Sequence, residues 1–227
     1  MPCYPLDDQL WFPPVEDAED YGLLAVGGDL SAERLLLAYS LGIFPWYNPG
    51  EAILWWSPDP RCVLFPEKLH ISRSLKRFMR REPYRISFNE DFPGVISWCR
   101  QLRAGVDGSG TWITSEMKHA YIDLHQLGFA HSVECWEGDE LIGGLYGVCI
   151  GRCFFGESMF SRSKNASKVV LVHLLEYLRQ QGFVLLDCQQ TTDHLLSMGA
   201  EEISRRQFQS YLQQAQVPPY GPLKSCF

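Results

Sequence analysis

The sequence predicts an α+β fold with a small N-terminal domain, and three observations carry that prediction. From about residue 130 the apolar residues change from helical spacing to strand-like runs over 130–136, 141–150 and 153–159. These runs are separated only by Glu137-Gly138-Asp139-Glu140 and Gly151-Arg152, turn sequences short enough to make the three an antiparallel meander. A strongly apolar helical stretch ending at Gln180, a strand over 183–189 and a short helix over 193–198 then follow, so strands and helices are segregated rather than alternating.

The remaining elements follow in order. Residues 1 to about 20 are acidic and proline-rich and predict an arm laid on the surface. Gly27-Gly28-Asp29-Leu30-Ser31 gives a turn and an N-cap for a helix over 32–41 that stops at Gly42. Residues 43–61, with Phe44-Pro45-Trp46, Trp55-Trp56 and four prolines, read as an aromatic loop region with one short strand, and the small domain is expected to span 1–61. In the domain expected over 62–227, residues 71–81 have helical spacing that puts Arg73, Arg77, Arg80 and Arg81 on one face. A strand over 84–88, a helix over 93–103 and a glycine-bearing loop over 106–110 follow. Thr114 caps a helix over 115–127 that ends at Gly128. In the second meander strand Gly143-Gly144 allows a bulge or a close backbone approach. Asn165 or Ser167 caps the apolar helix, Gly182 ends it, and a segment around Phe208 completes the core before a proline-rich tail.

Composition narrows the class. With 46% hydrophobic and 21% charged residues over 227 positions, the chain reads as an ordinary soluble globular protein. No stretch of about 18 uncharged apolar residues exists, and Met1-Pro2-Cys3-Tyr4-Pro5 lacks the basic patch and apolar run of a secretory leader, so a cytoplasmic protein is expected. Eight cysteines form no CxxC pair and six histidines no HExxH pattern, which predicts core thiols and no metal. The net charge of −7 is unevenly spread: seven basic residues between Lys68 and Arg85 face Glu82 alone, a local +6 that leaves −13 elsewhere. A basic stripe on an acidic body suits a protein that grips a polyanion at one place and a cation at another.

The functional signal lies in two segments, Phe154-Phe155-Gly156-Glu157-Ser158-Met159-Phe160-Ser161 and Leu185-Leu186-Asp187-Cys188-Gln189. Each apolar strand carries an isolated acid into the expected core, where an unpaired carboxylate is costly and therefore has a partner or a task. Together they point to an active site.

The element order, ending in His194-Leu195-Leu196-Ser197-Met198-Gly199-Ala200, resembles the acyltransferase fold of the GNAT superfamily. The glycine-rich loop that would hold a coenzyme A pyrophosphate is missing, since Ser161-Arg162-Ser163-Lys164-Asn165-Ala166-Ser167-Lys168 has no GxG element. More closely, the chain resembles the leucyl/phenylalanyl-tRNA-protein transferase family of bacteria. The matching blocks are Gly27-Gly28-Asp29-Leu30, Gly42-Ile43-Phe44-Pro45-Trp46, Trp55-Trp56-Ser57-Pro58-Asp59-Pro60-Arg61, His70-Ile71-Ser72-Arg73-Ser74, Gly110-Thr111-Trp112-Ile113-Thr114, Gly156-Glu157-Ser158-Met159-Phe160-Ser161 and Asp187-Cys188-Gln189. They fall in order over about residues 23–211.

The resemblance implies transfer of Leu or Phe, and less readily Met, from aminoacyl-tRNA to the N-terminal Arg or Lys of a protein, without a cofactor, as a step toward N-degron proteolysis. It implies that Asp187 polarises Gln189, whose carbonyl accepts a proton from the incoming amine, and that Glu157 fixes the aminoacyl amino group. Both pairings also fit a plainer reading, Asp187 capping a helix and Glu157 serving as a structural acceptor. Phe155, Glu157 and Met159 are expected to alternate onto one face, and Leu145, Phe154, Phe155, Gly156, Met159, Leu171, Leu174 and Leu186 to form the aminoacyl side-chain pocket. Trp46 and Trp112 are similar to the aromatics that hold the 3'-terminal adenosine, and Arg73, Lys76, Arg77, Arg80 and Arg81 to a tRNA-backbone contact. A monomer is expected. The competing readings are a coenzyme A-dependent N-acetyltransferase and a noncatalytic RNA-binding module.

Overall fold

The computed structural model describes residues 3–81, 83–104 and 111–217. Its N-terminal part builds a four-stranded sheet from β1 (Tyr4–Leu6), β2 (Leu23–Gly27), β3 (Phe44–Pro45) and β4 (Leu54–Trp56), in the order β1-β2-β4-β3. The arm expected on the surface is built into this sheet. β1 pairs in parallel with β2, and Leu6, Phe12, Val15 and Ala18 are buried. Irregularly spaced apolar residues give no periodic signal in sequence, yet each is buried singly, Phe12 edge-on against the Trp55 ring at 4.9 Å. The aromatic region likewise holds two short strands rather than one, β3 and β4, paired antiparallel. Helix α1 (Ala32–Ser40) begins at Ser31, whose hydroxyl accepts from the Arg34 amide, and gives way to Gly42 at φ +76°.

The rest of the chain supplies β5 (Arg61–Leu64), α2 (Arg73–Met79), β6 (Arg85–Phe88), α3 (Phe92–Ala104), α4 (Ser115–Gln126) and the meander β7 (Ala130–Glu137), β8 (Glu140–Ile150) and β9 (Cys153–Ser161). After it come α5 (Ala166–Gln180), β10 (Leu185–Gln189), α6 (Asp193–Ser197), β11 (Glu201–Ile203) and α7 (Arg205–Gln214). Seven strands form one sheet in the order β11-β5-β10-β9-β8-β7-β6, in which β9 and β10 are parallel and the other pairs antiparallel. The mixed α+β architecture agrees with the expected class. Strands β5 and β11 are unsignalled in the sequence, because three or four residues carry no period and become strands only through pairing.

Local departures have local causes. The basic helix is shorter than expected: Ser72 caps it, Met79 is its last residue, and Arg80 and Arg81 lie in the turn before Pro83, which cannot continue a helix. Asn165 occupies the N-cap of α5 with left-handed backbone at φ 63°, and its side chain makes no capping bond. At Gly143 both expected features occur side by side. Ile142 is the extra residue where the β7/β8 register shifts, and a Cβ on Gly143 would lie 2.6 Å from the Ala166 Cβ, so glycine lets α5 sit against the strand. The expected loop over 106–110 and the tail from 218 onward lie outside the described residues.

Two apolar layers cover the seven-stranded sheet. Leu35 and Tyr39 of α1, Phe92 and Ile96 of α3, Tyr121 of α4 and Phe208 of α7 share one with Phe155. The other joins Leu75 of α2, the apolar face of α5 and Leu195 of α6 to Phe154, Leu145 and Leu186. Burial on both faces explains why β8 reads as a nearly continuous apolar run. Seven cysteines are described and all are free thiols, five of them buried. Among the described residues no helix is long and apolar enough to cross a membrane.

Candidate active site

The parallel strands β9 and β10 stay paired only as far as Phe155 and Asp187. Beyond that point each strand departs from regular pairing. In β9, Tyr146 pairs with Ser158 and Gly147 with Gly156, so Glu157 is an unpaired bulge residue. In β10, Val63 pairs with Asp187 and Cys62 with Gln189, so Cys188 is the extra residue, and Gln189 sits at φ 63°. Between the parting strands opens a cleft of about 400 Å³.

Most of the residues singled out in the sequence meet there. Leu145, Phe154, Gly156, Met159, Leu171, Leu174 and Leu186 form an apolar lobe, Glu157, Asp187 and Gln189 a polar seam, and Trp46 and Trp112 stand on the wall with Phe44. Trp46 is fixed by Trp56, whose indole N–H donates to the Trp46 carbonyl at 2.6 Å. Trp46 as a whole is 39% exposed. Phe155 does not join this lobe. The bulge at Glu157 shifts the alternation by one, so Phe155 turns to the opposite layer and packs against Tyr39 at 5.2 Å while Met159 faces the cleft.

Asp187 is fully buried, and its partner is Arg61. The guanidinium Nε donates to Oδ1 at 2.9 Å and Nη2 to Oδ2 at 2.7 Å, a bidentate pair held between the Phe44 and Phe208 rings. Asp187 Oδ1 also accepts the backbone N–H of Gln189 at 2.9 Å. The expected side-chain route from Asp187 to Gln189 is therefore corrected. Because the Cys188 bulge breaks the period-two alternation, Asp187 grips the Gln189 backbone and stabilises its left-handed conformation. Nor does Asp187 cap a helix.

The Gln189 side chain is held instead by Glu157: Nε2 donates to Glu157 Oε1 at 2.8 Å. Glu157 Oε2 accepts from the Tyr121 hydroxyl at 2.8 Å, and the Tyr39 hydroxyl bonds to that of Tyr121. Burial pushes the Glu157 carboxyl up to about 7, against the hydrogen bonds of Tyr39, Tyr121 and Gln189, with the negative charge of Asp187 adding to the rise. Burial, and after it the charge of Glu157, raise the Tyr39 and Tyr121 phenols well above their ordinary value. In its ionised form Glu157 only accepts, so it then selects the amide nitrogen of Gln189 and leaves the amide oxygen for another donor.

The five cations of the basic stripe lie elsewhere. Arg73, Lys76 and Arg77 on α2, with Arg80 and Arg81 after it, are exposed and outside the cleft lining. None of them enters an ion pair among the described residues. Leu75 roots α2 in the layer shared with α5, and the Tyr84 hydroxyl donates to the Lys164 carbonyl ahead of α5. Sequence reasoning missed Arg61, Tyr39 and Tyr121. Arg61 stands in the Trp55–Arg61 block but its partner is 126 positions away, and the tyrosines look like ordinary helix-face residues. It also missed His194, whose Nε2 is buried at the cleft without a hydrogen-bond partner among the described residues.

Comparison with known proteins gives a consistent picture. Residues 63–213 match the family model of leucyl/phenylalanyl-tRNA protein transferase, and residues 28–59 match the model of its N-terminal domain. The leucyl/phenylalanyl-tRNA–protein transferase of Pseudomonas fluorescens (strain Pf0-1) is 58% identical over 207 residues, 90% of this chain and 91% of that protein. The protein of the same name from Syntrophobacter fumaroxidans is 58% identical over 212 residues, 93% and 90% of the two chains. Among solved structures, L-PGS from Bacillus licheniformis superposes with a TM-score of 0.44 at 11% identity, covering 85% of this chain and 63% of that one. That likeness is too distant to assign a fold.

The buried carboxyl has a measurable signature. Glu157 holds its proton up to about pH 7 in the folded chain but releases it near 4.5 once unfolded. Folding therefore takes up a proton between those values, and the associated stability is lost as pH rises through about 7. The Tm advantage of the wild type over Glu157→Gln, followed by circular dichroism, is expected to shrink as pH rises from about 5 to about 7 and to level off above that. The opposite contribution of His131, which burial holds at about 4, is common to both proteins and cancels in the difference. Parallel curves for the two proteins would place the titration elsewhere.

Proposed function

The chain belongs to the leucyl/phenylalanyl-tRNA protein transferase family, and from that premise we propose that it transfers Leu or Phe, and less readily Met, from aminoacyl-tRNA to the N-terminal Arg or Lys of acceptor proteins, marking them for N-degron proteolysis. The observation that carries this reading is the cleft itself. It joins an apolar lobe, two tryptophans and the Glu157–Gln189 pair within one space. Leu or Phe would fill the lobe around Leu171, Leu174 and Met159, where burial favours apolar side chains and desolvation rejects charged ones. The terminal adenine would stack on Trp46 and Trp112, an interaction of about 1–3 kcal/mol that suits an unpaired RNA end.

The reaction is aminolysis of an ester. The acceptor amine attacks the aminoacyl carbonyl carbon, the C–N bond forms, the ester C–O bond breaks, and the ribose oxygen leaves with a proton while the nitrogen loses one. An α-amino group of pKa about 7.7–8 is neutral in roughly a fifth to a third of molecules near physiological pH, so alignment of that fraction with an activated ester supplies most of what is needed. Gln189 would receive the amine N–H on its amide oxygen, made a stronger acceptor because Glu157 holds the amide nitrogen. Asp187 would act from behind, through the Gln189 backbone. Each Glu157 oxygen has a second lone pair, which leaves it able to accept from the aminoacyl amino group as well.

The GNAT-like reading of the core is supported by the order of β7, β8, β9 and α5 followed by β10 parallel to β9, with the cleft where the two part. A small N-terminal domain over 1–61 is supported by its separate four-stranded sheet. We read the protein as a cytoplasmic monomer without a cofactor.

Two experiments test the reading. Radiolabelled Phe-tRNA mixed with the protein and an acceptor beginning with Arg is expected to deliver label into protein, while labelled acetyl-coenzyme A delivers none; no transfer from any aminoacyl-tRNA would overturn it. For the basic face, Arg77→Ala combined with Arg80→Ala is expected to raise the KM for tRNA and to reduce its salt slope by about two. An unchanged slope would make that face ordinary solvated surface.

A further inference from the structure

The sheet itself offers a ruler for the acceptor. Cys62 of β5 pairs with Gln189 on one side and with Glu202 of β11 on the other. The three residues therefore form one row across the sheet, and directly opposed residues of antiparallel strands present their side chains to the same face. Cys62 belongs to the layer that lines the cleft, with Leu186 and Phe154. Two strand spacings separate Gln189 from Glu202, about 10 Å.

Glu202 is exposed, and its hydrogen-bond partner is neutral: the Thr191 hydroxyl donates to Oε1 at 2.5 Å. Thr191 stands next to Gln190 and Thr192, both of which line the cleft, while Thr191 and Glu202 themselves lie outside its lining. The nearby carboxylates are already matched to cations. Asp187 is bound by Arg61, and Glu201 by Lys68 at 2.8 and 2.9 Å. Among the described residues no cation lies within ion-pair distance of Glu202.

We propose that Glu202 is the specificity-determining residue for the acceptor, binding the cationic side chain of its first residue while the α-amine sits at Gln189. The assignment rests on the acceptor chemistry proposed above. In arginine the guanidinium carbon, and in lysine the ammonium nitrogen, is six bonds from the α-nitrogen, about 7 Å when extended. A carboxylate reaching inward from the row's far end meets both cations at the same distance. Shorter side chains fall short and neutral ones leave Glu202 without a cation, so one residue selects both accepted N-termini. Thr191 orients the carboxylate without neutralising it.

Steady-state transfer from labelled Phe-tRNA to peptides beginning with Arg, Lys and Glu tests this in wild type, Glu202→Gln, Glu202→Lys and Asp193→Asn, the last altering an exposed acid at the start of α6. Glu202→Gln is expected to raise the KM for the Arg and Lys peptides about tenfold or more, with the KM for Phe-tRNA unmoved. Glu202→Lys is expected to shift relative preference toward the Glu peptide. A normal peptide KM in Glu202→Gln, a parallel rise in the tRNA KM, or a KM effect confined to Asp193→Asn would each overturn the assignment. Failure of the wild type to label any Arg peptide would instead overturn the functional reading on which it rests.

Discussion

The buried ion pair between Arg61 and Asp187 is the constraint on which the site depends. Both charges are removed from water, a cost that near-ideal geometry and further hydrogen bonds offset, although the buried Arg61 Nη1 has no hydrogen-bond partner among the described residues. Arg61 provides two short parallel bonds, and Asp187 spends its remaining capacity on the Gln189 amide. Phe44 and Phe208 close over the guanidinium faces from opposite ends of the chain. Through this arrangement a strand of the N-terminal sheet, a C-terminal helix and the adjacent strands β5 and β10 of the large sheet are fixed relative to one another. The same pair that ties the fold together also sets the backbone of Gln189.

Around that anchor, charge is graded. Asp187 has a full cationic partner, whereas Glu157, on the adjacent strand, has only phenols and an amide. Burial and its anionic neighbour consequently bring Glu157 close to neutrality in its protonation balance, while its hydrogen bonds hold it back from a larger shift. Isolated burial is not enough to mark a functional acid: Glu134 is also fully buried, but Ser87, Ser132 and the Asp91 amide bond its carboxylate, and it lies outside the cleft. What distinguishes Glu157 is that its partners lead into the open cleft through Gln189.

The elements legible in the sequence were those with length and period. Helices α3, α4 and α5 and the meander declare themselves through capping residues, glycine stops and apolar runs, and so did the acids on β9 and β10. The elements missed are short and made by pairing: β1, β5 and β11 carry no pattern of their own. The site errors share one cause. Single-residue bulges at Glu157 and Cys188 shift the side-chain alternation, which moves Phe155 out of the pocket and separates Asp187 from the Gln189 side chain. A bulge depends on the partner strand, and no local pattern announces it. Arg61 was hidden for a related reason, since its meaning comes from a contact across 126 positions.

The central claim is that Arg61 and Asp187 act as one unit to hold Gln189 for transfer. A double-mutant cycle on kcat, using Arg61→Met, Asp187→Asn and the combined variant at a temperature where circular dichroism shows all of them folded, tests this most directly. The account predicts strong non-additivity, with the double variant no slower than the slower single one. Rate losses that simply multiply would show that the two residues act independently, and would contradict it.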